Sequence, residues 1–117
     1  MTAEKGKTVP LAVFSPENNP YVRTLKNGYR VSNLRDVLAV ADKHHFGVVA
    51  ANIRSPWILN AVLRAIWETH SPIILEIAES EVGYCDMPPA RLSDLAHEGI
   101  EKMINEYGYG VPIVLHH

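Results

Sequence analysis

The chain has 117 residues, of which 47% are hydrophobic and 21% charged, with a formal net charge of −2. This length and balance are typical of one compact domain or of a piece of a larger one, and they argue against a disordered chain. The small net charge and the lack of a dense Lys/Arg cluster argue against nucleic acid or a membrane surface as a partner. No apolar run approaches the roughly 20 residues that cross a bilayer.

Two further features bear on the cellular compartment. Residues 1–7 are largely polar and do not form the hydrophobic centre of a secretory signal. Cys85 is the single cysteine, which excludes an internal disulfide and is typical of a reducing environment. These features predict a cytoplasmic protein.

Residues 1–31 differ in composition from the rest of the chain. Prolines, asparagines and an Asn27-Gly28 turn signal interrupt them and leave room for one short strand at residues 9–14. We expect an N-terminal arm or extension that packs on a neighbouring surface. A partly ordered tail is the alternative.

Residues 32–117 make up the rest of the chain, and two helices are predicted in its first half. The first follows an N-cap at Ser32 or Asn33 and ends in basic residues that suit the helix dipole, Lys43, His44 and His45. The second begins at Ser55-Pro56 and ends near His70. We expect its buried face to consist of Trp57, Ile58, Ala61, Val62, Ala65 and Ile66.

A third helix is predicted from Ala90 to Tyr107, with Gly108 as a left-handed residue at its end. His97 is expected on the exposed face of this helix. Residues 80–89 contain a Pro-Pro pair and are expected to form a loop, whose length suits a functional role.

Three apolar runs alternate with these helices, at residues 48–53, 73–79 and 111–117. Each is mostly apolar and carries polar side chains near its end, a pattern typical of strands that are buried on both faces in a parallel sheet. The alternation predicts the α/β class, with parallel strands in sequence order and right-handed crossovers.

Five polar residues lie at or near strand ends: Asn52, Glu76, Glu79, His116 and His117. The first four form the candidate site. Because the carboxyl ends of parallel strands point the same way, we expect these side chains to converge. In the alternative, Glu79 is only a solvated carboxylate and His117 only a terminal residue. Glu76 is the most informative, since a carboxylate inside an apolar strand needs a partner, although a structural partner would satisfy it equally well.

Other groups give weaker signals. His44 and His45 diverge by about 100° around a helix, so a shared metal ion is disfavoured. Cys85 has no cationic neighbour in the sequence and is interpreted as inert. The lysines fall in the arm or on helices, where no strand end presents a Schiff-base amine.

Several segments, in this order along the chain, carry a family resemblance. They are the helix at 35–45, Gly47-Val48-Val49-Ala50-Ala51-Asn52-Ile53, Trp57-Ile58-Leu59-Asn60-Ala61-Val62-Leu63, Ser71-Pro72-Ile73-Ile74-Leu75-Glu76 and, strongest, Tyr107-Gly108-Tyr109-Gly110-Val111-Pro112-Ile113-Val114-Leu115-His116-His117. Together they resemble the class II, metal-dependent fructose-bisphosphate aldolases. The resemblance implies the first three β/α units of a TIM (β/α)8 barrel, incomplete in this chain, over residues 32–117.

The resemblance also implies an activity. The complete enzyme would reversibly cleave a ketose bisphosphate, with fructose bisphosphate as the first choice, into dihydroxyacetone phosphate and an aldehyde, with Zn²⁺ as a Lewis acid. Asn52 would lie near the substrate and His116 in a supporting position close to the metal. The acid/base Asp and a zinc-binding His would follow His117, so this chain alone would be inactive and the zinc would be bound by residues beyond it. Glu76 and Ala78 stand where the family usually has Gln and Ser, which leaves the choice of ketose bisphosphate open.

The expected partners are a sugar phosphate and either the remainder of the barrel or another chain, which would cover the exposed edge of the third strand. A homo-oligomer is expected as well. The alternative function is a non-catalytic binding or interaction module with a small parallel α/β fold. The two residues after His117 would distinguish the two, because Asp-His supports the aldolase.

Overall fold

A computed structural model describes residues 2–4, 7–8, 24–25, 28–83 and 85–116. Near the N-terminus, β1 (Thr2–Glu4) and β2 (Lys7–Thr8) pair in antiparallel fashion. Gly28 has a positive φ of 84°, as the turn signal predicts. The short strand expected at residues 9–14 lies outside the described residues.

A three-stranded parallel sheet forms the centre of the molecule. Its strands are β3 (Val49–Asn52), β4 (Ile73–Glu76) and β5 (Ile113–His116), in the spatial order β3-β4-β5. Both pairings are parallel and run without a bulge. The predicted α/β class, strand order and parallel direction are confirmed.

Among the described residues, four helices accompany the sheet: α1 (Leu34–His44), α2 (Pro56–Thr69), α3 (Glu79–Val82) and α4 (Pro89–Tyr107). Oδ1 of Asn33 accepts a hydrogen bond from the Arg35 amide at 2.9 Å, and Oγ of Ser55 accepts one from the Ile58 amide at 3.3 Å, so both N-caps form as predicted. Gly108 ends α4 with a φ of 80°. The loop expected at residues 80–89 is partly helical, because the single turn of α3 occupies its beginning.

The helices cover the two faces of the sheet unequally. Side chains alternate between faces along a strand, so Ile73, Leu75 and Ile113 share one face and pack with α2 and α4 in the main core. On the opposite face, Val114 packs with α1 in a smaller cluster. Within the ranges that the structure describes, no helix has both the length and the hydropathy to span a membrane.

The buried face of α2 differs from the predicted one. Leu59, Leu63, Ile66 and Trp67 are buried, whereas Trp57 is 80% exposed and Ile58 is 41% exposed. Asn60, Arg64 and Glu68, spaced four residues apart, are exposed and mark the opposite side of the helix. The buried side packs on α4 so closely that a Cβ atom at Gly99 would lie only 2.5 Å from Cδ1 of Leu63.

His97 is also placed differently from the prediction. It is buried against the core, with 5% exposure, and its Nδ1 lies 2.7 Å from the carbonyl oxygen of Ser93. That carbonyl, one helical turn earlier, accepts a hydrogen bond from the ring. The prediction of an exposed His97 is therefore wrong, because a bond within the helix offsets part of the cost of burying the imidazole.

The three strands are not equally buried. Ile73, Leu75 and Ile113 are buried as expected, but β3 is mostly exposed and Val49 is 67% exposed. The expectation that all three strands are buried on both faces is wrong for β3. This strand lies at an edge of the sheet, and the helices pack mainly over its neighbours.

Residues 29–32 cover part of the free edge of β5. The hydroxyl of Tyr29 donates to the carbonyl of Val111 at 2.7 Å, and the amide of Ser32 donates to the carbonyl of Ile113 at 2.7 Å. Tyr29 is itself 6% exposed and packs in the main core. The sequence predicted that the remainder of the barrel or another chain would cover the edge of the third strand. At these two carbonyls, residues of the chain itself cover it.

Candidate functional site

Three of the four predicted site residues form one row across the sheet. Asn52 is opposite Glu76, and Glu76 is opposite His116, each at the last position of its strand. Neighbouring strands are about 4.8 Å apart, so the three residues lie within reach of one ligand. The C-terminal edge of a parallel sheet is where ligands bind in α/β proteins.

The row lies on the same face of the sheet as Val114 and Ile74, because these positions are two residues apart along each strand. Helix α1 packs on this face through Val114, closer to the start of the strands. The row lies beyond that contact and remains accessible. The side chain of Glu76 is 28% exposed and that of His116 is 56% exposed.

Glu76 finds its partner within the row. Its Oε2 lies 3.1 Å from Nδ1 of His116, a hydrogen-bond distance that becomes an ion pair when the ring is protonated. The two residues are 40 positions apart in sequence and meet only because β4 and β5 pair in register. The carboxylate in the apolar strand is thus satisfied by a side chain of the candidate site itself.

Glu79 does not join this row. It is the first residue of α3, three positions after Glu76, and its side chain is exposed. The interpretation of Glu79 as a solvated carboxylate agrees with this position. It still stands at the C-terminal edge of the sheet, next to the row.

An ion pair that sequence reasoning missed lies at the same edge. Nε of Arg54 lies 2.6 Å from Oε2 of Glu81, and Nη2 lies 3.1 Å from Oε1, which is a bidentate arrangement. Glu81 is buried, with 8% exposure. The hydrogen bonds from Arg54 lower the pKa of Glu81, although burial opposes that shift. The partners are 27 residues apart, so no local sequence signal identifies the pair.

An open cavity adjoins the end of β5. It has a volume of about 230 Å³ and is lined by Pro89, Leu92, Ser93, Leu115 and His116. His116 therefore borders both the row and this cavity. The first turn of α4 forms its opposite wall.

The arrangement of the potential metal ligands can be compared with what a zinc site needs. Among residues 2–4, 7–8, 24–25, 28–83 and 85–116, no group of three or more His, Cys, Asp or Glu side chains is arranged to hold an ion. Catalytic zinc takes about three ligands from the protein. The described residues therefore do not supply a zinc site by themselves.

The structure therefore belongs to the α/β class of proteins and carries polar side chains at the C-terminal edge of its parallel sheet. A sequence model of the class II fructose-bisphosphate aldolases matches residues 32–117. The chain belongs to the class II fructose-bisphosphate aldolase family.

Two curated relatives carry the name fructose-bisphosphate aldolase. The protein of Treponema pallidum (strain Nichols) is 32% identical over 84 residues, which is 72% of this chain and 24% of that protein. The protein of Giardia intestinalis is 30% identical over 83 residues, 71% of this chain and again 24% of the relative. The chain thus spans about a quarter of the length of these relatives. No solved structure matches it significantly.

Proposed function

We propose that the complete protein reversibly cleaves a ketose bisphosphate, fructose bisphosphate being the first candidate, to dihydroxyacetone phosphate and an aldehyde. The observation that carries this proposal is the row of Asn52, Glu76 and His116 at one edge of a parallel sheet, in a chain of the aldolase family. The three β/α units would be the first part of a TIM barrel. In such barrels the catalytic groups stand at this same edge.

In this proposal the residues of the chain bind and orient the substrate. The Asn52 side chain both donates and accepts hydrogen bonds, so it suits a sugar hydroxyl or a phosphate oxygen. Glu76 holds His116, and Glu79 contributes negative charge at the rim of the site. The acid/base carboxylate and the zinc ligands would come from residues beyond this chain. The bound Zn²⁺ would supply Lewis-acid polarisation of the substrate carbonyl.

The proposal also accounts for an exposed apolar surface formed by three residues of β3 and α2. Val49, Trp57 and Ile58 are all exposed by more than a third, on the edge strand β3 and the adjacent helix α2. Further β/α units of the barrel, or another chain, would bury them. We further propose a cytoplasmic homo-oligomer, on the basis of the single cysteine and the family membership.

The test is an aldolase assay on the complete protein, with release of dihydroxyacetone phosphate as the readout. We expect activity that a chelator removes and that added zinc restores. Borohydride with substrate should not inactivate the protein, because the proposal needs no Schiff base. Asn52→Ala should lower kcat/KM by about 10- to 100-fold, the loss expected for one or two hydrogen bonds to the reacting substrate.

The results of these experiments also distinguish an aldolase from the alternative function, a non-catalytic binding module. Inactivity of a folded, zinc-loaded complete protein with every ketose bisphosphate tested would refute the aldolase proposal. If such a protein still bound a polyhydroxylated ligand, and if Asn52→Ala weakened that binding, the row would belong to a binding module. Leu38→Ala, on the exposed side of α1, is a control that should leave activity unchanged.

A further inference from the structure

The bond between Glu76 and His116 constrains the proton on the imidazole. Nδ1 of His116 lies 3.1 Å from Oε2 of Glu76. An ionised carboxylate only accepts hydrogen bonds, so the ring nitrogen that faces it must donate. In a neutral imidazole the other nitrogen then carries the lone pair.

We propose that Glu76 is a positioning residue that holds His116 in its Nδ1–H form and so leaves Nε2 as a hydrogen-bond acceptor. This inference rests on the proposed function in one respect: the group that donates to Nε2 is a hydroxyl of the sugar phosphate. More than half of the His116 side chain is exposed, at 56%, so a ligand can reach the ring. Asn52, on the other side of Glu76 in the row, would contact the same ligand.

The choice of a carboxylate at position 76 is specific for this role. A glutamine there would present both an acceptor oxygen and a donor nitrogen to Nδ1, and would therefore allow either neutral form of the ring. The carboxylate allows only one. The neighbouring backbone is fixed, because Ile77 donates to the carbonyl of His116 and Ile53 donates to the carbonyl of Glu76, with N···O distances of 3.4 and 2.8 Å.

A pair whose role is structural would show itself as a loss of stability when the carboxylate becomes an amide. Partly exposed ion pairs contribute little to stability, so this loss should be small. The positioning role predicts a change of another kind, in the populations of the two neutral ring forms.

Nitrogen NMR of the purified protein, labelled with ¹⁵N in its six histidine rings, tests the proposal. The spectrum is recorded in mildly alkaline buffer, and the comparison is made between the two neutral forms of the ring. The His116 signals are identified by their loss in His116→Gln. We expect a protonated Nδ1 and an unprotonated Nε2.

The substitution Glu76→Gln should introduce the Nε2–H form, while Glu79→Gln removes an equal charge at the same edge and should leave the ring unchanged. Thermal melting of each variant confirms that it is folded. If Glu76→Gln does not fold, Glu76→Asp replaces it and should retain the Nδ1–H form. A protonated Nε2 in the unsubstituted protein, or an unchanged ring in Glu76→Gln, would overturn the proposal. Neither result depends on aldolase activity. A failure of this proposal can therefore be told apart from a failure of the proposed reaction.

Discussion

The guanidinium of Arg54 holds the carboxylate of Glu81 through two hydrogen bonds of 2.6 and 3.1 Å. Arg54 follows β3 and Glu81 lies in α3, which follows β4. The pair therefore joins the segments that leave two neighbouring strands at the edge carrying the candidate site. It limits how far these segments can separate from each other.

This ion pair predicts a specific loss of stability in acid. Because hydrogen bonds from Arg54 lower the pKa of Glu81 from its ordinary value of 4.5, the folded state favours the ionised carboxylate. The stabilisation is fully present above that value and is lost as the pH falls through the lower pKa of the folded state. Glu81→Gln should therefore melt at a lower temperature than the unsubstituted protein at neutral pH, and the difference should shrink in acid.

Melting temperatures from pH 7 down to about pH 3 provide the measurement. Arg54→Ala should lose the same acid dependence, and the double variant should be little worse than either single one. Glu79→Gln, an exposed carboxylate of the same helix, is the control and should keep the dependence. A difference between Glu81→Gln and the unsubstituted protein that stayed constant with pH would contradict the assignment.

A second prediction concerns the edge of β5. Tyr29→Phe removes the hydroxyl that donates to the buried carbonyl of Val111. An unsatisfied buried acceptor costs about 1–3 kcal/mol, so the free energy of unfolding should fall by that amount. Urea unfolding near neutral pH measures it.

The same variant should differ at alkaline pH. Burial raises the pKa of Tyr29, so the folded state keeps the neutral phenol. In the unfolded chain the phenol ionises near its ordinary pKa of about 10. The stability of the unsubstituted protein should therefore decline above that pH, and Tyr29→Phe should lack this part of the decline. Tyr107→Phe is the control, because the Tyr107 hydroxyl is exposed and its contacts with Arg64 and Glu68 are long, at 3.5 Å. Equal alkaline loss in Tyr29→Phe and the unsubstituted protein would argue against a buried phenol.

The sheet and its polar row were predictable from sequence for a physical reason. Apolar runs separated by capped helices restrict the topology to parallel crossovers, and parallel pairing aligns the strand ends. The last polar residues of the three runs, Asn52, Glu76 and His116, therefore had to lie at one edge. The pairing of Glu76 with His116 follows from that alignment.

The failures also have a physical reason. The prediction for α2 placed Trp57 and Ile58 on the buried face, although the exposed Asn60, Arg64 and Glu68 mark the same side of the helix as Trp57. His97 has a polar side chain, but it can be buried because its ring forms a hydrogen bond with the Ser93 carbonyl. Arg54 and Glu81 meet through the tertiary fold alone. Sequence patterns specify elements and their order, whereas contacts between elements decide faces and pairs.

A third prediction tests whether the exposed face of α2 is covered in the complete protein. The chain has two tryptophans, Trp57 with 80% exposure and Trp67 with 0%. In Trp67→Phe, Trp57 is the remaining reporter. We expect red-shifted emission and strong acrylamide quenching in the 117-residue chain, and blue-shifted emission with several-fold weaker quenching in the complete protein, because burial restricts access to the indole.

Trp57→Phe, which retains Trp67, is the matched control and should give blue-shifted emission in both proteins. Trp67 donates to the Tyr109 carbonyl at 2.9 Å, so melting curves must confirm that Trp67→Phe is folded. Equal quenching of Trp57 in the chain and in the complete protein would show that this face of α2 stays open. The proposed covering of the α2 face by further β/α units or another chain would then be wrong.

The last prediction concerns zinc. The 117-residue chain should bind Zn²⁺ at least about a hundredfold more weakly than the complete protein, since a tight site needs three or four convergent ligands. The described residues hold no such group, and Nδ1 of His116 is already bonded to Glu76. Calorimetric titration of both proteins measures the affinities.

In the complete protein, His116→Ala should weaken zinc binding by about 10- to 100-fold, as expected for a residue that supports the metal ligands without being one. Tight binding by the short chain, abolished by His116→Ala, would instead make His116 a ligand and move the metal site into this part of the protein.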